Sequence, residues 1–243
     1  DSADILSADV TQAAYGETVT VTITRPSDKT LLYVKEMLED GTPYYYYPED
    51  GVEQLTFKMP KNQSVTFSAY ADTLWTDEGN YDAALLNSNP DVWYIYDGAD
   101  FAALNKLIEN GGKVGGITLE LMNDIDMSTH VWKPFQYAYH SDDIITIHGN
   151  GHKVSGMRVE GYAKELMNGW MYYGNNIYSI FDVMSFITNN FTIQGTMNVH
   201  IPADATISQQ INIFSRTAFN LSGNSTLNMD VTVDGYYLNL AAY

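Results

Sequence analysis

The sequence predicts a chain of β-strands in two parts: a small antiparallel module over residues 1–75 and a longer strand array over 92–243, with a polar linker at 76–91 between them. Three observations carry this. Apolar and polar residues alternate strictly in several short runs, turn signals recur about every 8–12 residues in the first part, and one lone helical pattern opens the second. The composition agrees, since 19 tyrosines and 18 glycines, with many Thr, Val and Asn, suit strands and turns.

In the first part, GETVTVTIT places Val19, Val21 and Ile23 on one face and the threonines on the other, the pattern of a half-buried strand. LLYVKEML follows, then a turn at Glu39-Asp40-Gly41, the run PYYYY, a second turn at Pro48-Glu49-Asp50-Gly51, and VEQLTFKMP. SVTFSAYA closes the module, again alternating through Val65, Phe67 and Ala69. This layout is similar to the small all-β modules found in tandem in bacterial surface proteins, chiefly at Phe57-Lys58-Met59-Pro60. The resemblance implies a spacer or stalk.

The second part starts with the strand VWYIY. Asp97 or Asp100 then caps a helix over 100–109 whose apolar stripe is Phe101, Leu104, Leu107 and Ile108, and Gly111-Gly112 ends it. A single helix ahead of many short strands suits a plug over the open end of a strand stack. In IITIHGNGHKVSGMRV two β-branched runs flank an Asn-Gly turn, with Gly149, Gly151 and Gly156 where only a tight backbone fits. Further on, Ile180-Phe181 is echoed by Ile213-Phe214, and Thr192-Ile193 by Thr226-Leu227, intervals that suit stacked coils.

Four ordered blocks then carry a second resemblance: Asn123-Asp124-Ile125-Asp126-Met127-Ser128, Trp132-Lys133-Pro134-Phe135, 148–157 with its GNGH core, and Ser179-Ile180-Phe181. Over about residues 99–181 the chain resembles bacterial cell-surface proteins that carry the glycine-rich GLUG-type motif. The resemblance implies a short right-handed parallel β-helix with the helix as its N-terminal cap, in an exported, surface-attached setting, without a shared catalytic residue. The chain departs from the motif in two ways: His148 stands where an Asp is usual, and 158–178 is a long aromatic insertion.

Charge narrows the partners. A net −18, from 30 acids against 12 bases, repels phosphate backbones and anionic membranes, so nucleic acid is excluded as a partner. No run of about 18 apolar residues exists, so membrane insertion is not expected. The start, DSADILSADV, has neither a basic nor an apolar leader region, so an exported protein is expected here without its signal segment. With no cysteine, disulfides and thiolate chemistry are impossible.

Candidate chemistry is sparse. His148 and His152 are four apart on extended chain with a turn between, about 13 Å if fully extended and too far for one metal; His130, His140 and His200 are scattered. Asp124 with Asp126, and Asp142 with Asp143, are the carboxylate pairs that a β-helical polysaccharide-degrading enzyme would need, yet polar turns explain them equally. Asp77, Glu78, Asn80 and Asp82, or Glu49, Asp50 and Glu53, offer hard oxygen ligands without a calcium-loop order. No metal, cofactor or catalytic residue is assigned.

The aromatic residues are better candidates. Alternate rings of Tyr44–Tyr47 must point to opposite faces, so two of them are expected to be exposed, and Tyr162, Trp170, Tyr172, Tyr173 and Tyr178 crowd the insertion. Exposed rings pack on the apolar faces of sugars. Tyr162, Trp170, Tyr172, Tyr173, Tyr44 and Tyr46 are therefore the expected binding residues. The function expected is a non-enzymatic display or binding scaffold at the cell surface, contacting a glycan or a host or cell-surface protein. The alternatives are a carbohydrate-binding module and a β-helical polysaccharide-degrading enzyme.

Overall fold

The computed structural model describes residues 2–61, 64–135, 144–161, 163–164, 176–181, 185–203, 205, 209–214, 218–235 and 240–242. Strands dominate and helices are few and short, an all-β-rich chain, with separate antiparallel and parallel sheets. The chain divides into two compact units. The first is Asp1–Thr73 with His200–Thr206 and Val233–Leu238; the second is Leu74–Val199 with Ile207–Thr232 and Asn239–Tyr243.

The first unit opens with a helical turn, α1 (Ser2–Ile5), and holds two three-stranded antiparallel sheets. One orders β1 (Leu6–Ala8), β2 (Thr18–Ile23) and β5 (Gln54–Lys58); the other orders β4 (Pro43–Tyr46), β3 (Thr30–Leu38) and β6 (Val65–Asp72). The alternation read in β2 holds, with Val19, Val21 and Ile23 buried. Ile5, Ile23, Leu31 and Val34 form a core that Leu6, Tyr46, Leu55, Ala69 and Ala71 cover, so both sheets contribute to it. Glu36 is buried as well; its Oε2 accepts the Tyr46 hydroxyl at 2.7 Å. Burial pushes its carboxyl above the ordinary range, and the Tyr46 bond only partly opposes that.

The second unit begins with Leu74, Trp75 and Thr76, all buried. The stretch 76–91, expected as a linker, carries helix α2 (Ala83–Ser88), whose first N–H groups are capped by Asp82. Strand β7 (Val92–Ile95) leads into α3 (Gly98–Glu109), capped by the Asp97 side chain and buried along Phe101, Leu104, Leu107 and Ile108. Gly111, at φ +68°, ends that helix by donating to Ile108 O.

After α3 the strands fall into three sheets. The first orders β17 (Ala218–Ser222), β14 (Ser185–Asn189), β10 (Ile144–His148), β8 (Thr118–Leu121) and β7, every neighbour parallel. The second orders β18 (Thr226–Asp234), β15 (Thr192–His200), β11 (Lys153–Glu160) and β9 (Ile125–Asp126). The third orders β12 (Ala163–Lys164), β13 (Asn176–Tyr178), β16 (Gln209–Ile211) and β19 (Leu240–Ala242), with β12 antiparallel and the others parallel.

Facing residues coincide from strand to strand because residues paired in a sheet point to the same side. Trp93, Leu119, Ile147 and Thr188 are successive partners on its buried face. Behind them Trp132 lies edge-on to Phe181 at 5.2 Å and donates its Nε1 proton to Ile180 O at 2.5 Å. The echoed dipeptides meet: Ile180 and Phe181 donate to Ile213 O and Phe214 O, and the two phenylalanine rings lie 5.6 Å apart. The glycines follow from close approach. A Cβ on Gly149 would sit 2.0 Å from Asn190 O, whereas Gly151 has open space but φ +84°.

Candidate functional site

Of the expected binding residues, Tyr162, Trp170, Tyr172 and Tyr173 lie outside the described residues. Tyr44 and Tyr46 are half-buried, and none of Tyr44–Tyr47 is exposed. Tyr46 packs edge-on against Phe57 at 5.0 Å and spends its hydroxyl on Glu36. Tyr45, on the opposite phase, stacks on the His200 ring at 4.3 Å and donates to Asp234 Oδ2 at 2.6 Å. His200 Nδ1 meets the other oxygen of Asp234, and Tyr47 donates to His200 O at 2.8 Å. Tyr33 sits edge-on to both Tyr45 and His200. The Tyr45 and Tyr47 hydroxyls are thus spent within this aromatic network, which suits anchoring β4 rather than binding a ligand.

The other candidates are committed to local structure. Asp77 Oδ2 accepts Leu74 N at 2.7 Å, Asn80 donates to Leu74 O, and Asp82 caps α2. Asp50 faces Arg25 at 3.6 Å. Asp124 Oδ1 lies 3.3 Å from His152 Nδ1 and accepts Lys153 N, while Asp126 accepts Ser128 N and its carboxyl is thereby lowered. Asp142, Asp143 and His140 lie outside the described residues. Among the described residues no three His, Asp or Glu side chains gather as a metal-binding group.

What the fold does assemble is the outward face of the five-stranded parallel sheet. Two rows cross it in register. Tyr94, Glu120, His148, Asn189 and Ser222 form one; Val92, Thr118, Thr146, Ile187 and Asn220 form the other. Neighbouring side chains in a row stand about 4.8 Å apart, so each row spans about 19 Å. Tyr94 is 54% exposed, and so is Tyr96, just past the end of β7. Glu120 anchors the row: its Oε1 lies 2.6 Å from His148 Nδ1, and its Oε2 accepts Asn150 Nδ2 at 2.9 Å. Burial alone would raise the Glu120 carboxyl, but the bonds from Asn150 and His148, with the charge on His148, hold it below the ordinary range.

Of this face only His148 had been singled out. The missed signal was the strict alternation in VWYIY, where Trp93 and Ile95 are fully buried while Val92, Tyr94 and Tyr96 point out. No family model, curated protein or solved structure matches the chain. No helix among the described residues is long and apolar enough to cross a membrane.

Proposed function

We propose that the chain is a non-enzymatic display and binding module of an exported bacterial cell-surface protein, with its second unit a short right-handed parallel β-helix plugged by α3. One observation carries the reading: the strands visit the three sheets in a fixed order. β10, β11 and β13 lie in the first, second and third sheet; β14, β15 and β16 repeat that order, and β17, β18 and β19 repeat it again. A coiled path produces this repetition, and parallel crossovers are right-handed almost without exception. Side-chain bonds between successive passes span 28, 30 and 34 positions, the length of a coil with its loops.

Such a stack presents a rigid, flat wall to its surroundings, and the GLUG-type blocks favour a surface setting. The two exposed rings beside hydrogen-bonding side chains favour carbohydrate among possible partners. An antibody raised against the folded chain should label intact producing cells as strongly as lysed ones. Labelling that requires lysis would overturn the surface assignment.

A further inference from the structure

We infer that the outward face of the five-stranded sheet binds an uncharged polysaccharide, laid along the row Tyr94–Glu120–His148–Asn189 with Tyr94 and Tyr96 as its stacking platform. This rests on the reading of the second unit as a binding wall and names the ligand class for it. Three features of the face select that ligand.

First, the spacing fits. Parallel strands repeat at about 4.8 Å, close to the length of one pyranose unit in an extended chain. A glycan crossing the strands meets one row residue per sugar. A peptide strand pairs instead with a free sheet edge, through backbone groups that this face does not offer.

Second, the chemistry fits. Tyr94 and Tyr96 offer broad apolar rings at the start of the row. Glu120 is fixed by His148 and Asn150, so it accepts sugar hydroxyls without first being ordered. Asn189 is exposed and lies beside His148 in register, and Thr118 and Thr146 flank the row.

Third, the charge fits. Neither row contains a Lys or Arg, and the row holds one carboxylate. On a chain of net −18 this face repels uronate or sulfated polymers. A neutral chain meets no such penalty.

The test is affinity electrophoresis of the full chain through gels holding hydroxyethyl cellulose, arabinoxylan or mannan, with polygalacturonate as the anionic counterpart. At least one neutral polymer should retard the protein, and polygalacturonate should not. The double variant Tyr94→Ala/Tyr96→Ala should bind that polymer about ten-fold more weakly, with an unchanged circular dichroism spectrum. Asn189→Ala should weaken it by a smaller factor, and Thr232→Ala, in the second sheet, should leave it unchanged. Retardation by polygalacturonate alone, by no neutral polymer, or undiminished in the tyrosine variant would overturn the inference. Cell labelling reads the surface assignment separately, so intact-cell labelling with no retardation would sink the ligand and leave the wall in place.

Discussion

Two glycines in one corner separate two physical causes. Gly149 has no positive φ, but a Cβ there would lie 2.0 Å from Asn190 O, 2.5 Å from Phe191 Cα and 2.6 Å from Asn190 C. Relieving such contacts moves the two strands apart by about 1 Å, which stretches the Gly149 N–Asn189 O bond from 2.8 Å to roughly 3.8 Å, beyond hydrogen-bond range. The lost bond costs about 1 kcal/mol and the overpacking about 2 more. Gly151 has no atom within 4 Å of a built Cβ but sits at φ +84°, so alanine there costs only about 1–2 kcal/mol. Trp75, Trp93 and Trp132 are buried in the second unit, and the ranges of the first contain no tryptophan, so urea unfolding followed by tryptophan fluorescence reports on the second. Gly149→Ala should lower the midpoint by roughly 1 M, about one and a half to three times the shift of Gly151→Ala, and Gly151→Asn should recover most of the latter. An equal or smaller shift for Gly149→Ala would show that the strands do not approach as described.

Three further outcomes follow from single side chains. Glu36 has a raised carboxyl pKa, so its contribution to stability is full below the unfolded value near 4.3 and is lost as pH rises through the folded value. Glu36→Gln should therefore melt higher than the parent at pH 7, with the gap closing as the pH is brought to about 4; a gap that widens on acidification would refute the assignment. For Glu120 the sign is opposite. Its carboxyl is lowered, so its stabilisation is present above the unfolded value and is lost as pH falls through the folded one. Glu120→Gln should cost about 0.5–1 kcal/mol at neutral pH and nothing in acid, read from urea midpoints across pH. Tyr45→Phe removes the 2.6 Å bond to Asp234 and should cost about 1–2 kcal/mol by thermal melting; an unchanged melt would mean the hydroxyl is idle.

Local patterns were readable from the sequence wherever the cause is local. The alternation of β2, the Asp97 cap, the apolar stripe of α3 and its exit at Gly111 all follow from residues a few positions apart. Helix α2 is not legible because it has only six residues, AALLNS, between polar flanks, although Asp82 is an N-cap. Partners from distant chain were not readable. Alternation predicts two exposed rings in Tyr44–Tyr47, yet Asp234 meets Tyr45 from 189 positions away and Phe57 covers Tyr46. The row beneath His148 was hidden for the same reason, since nothing near Glu120 announces that the residue 28 positions later stacks on it. Alternation shows which way a side chain points; strand order decides which neighbour it finds there.

The Asn150-Gly151 corner also bears on chemical ageing. Asparagine followed by glycine loses its amide when the next backbone nitrogen attacks the carboxamide carbon to close a succinimide ring. Here the Asn150 Nδ2 is tethered to Glu120 Oε2 at 2.9 Å and to Leu121 O at 3.1 Å, with the backbone locked at φ +54°, so cyclisation must wait for the corner to open. Isoaspartate accumulating at residue 150 would then act as a clock, counting the time the wall has spent undone.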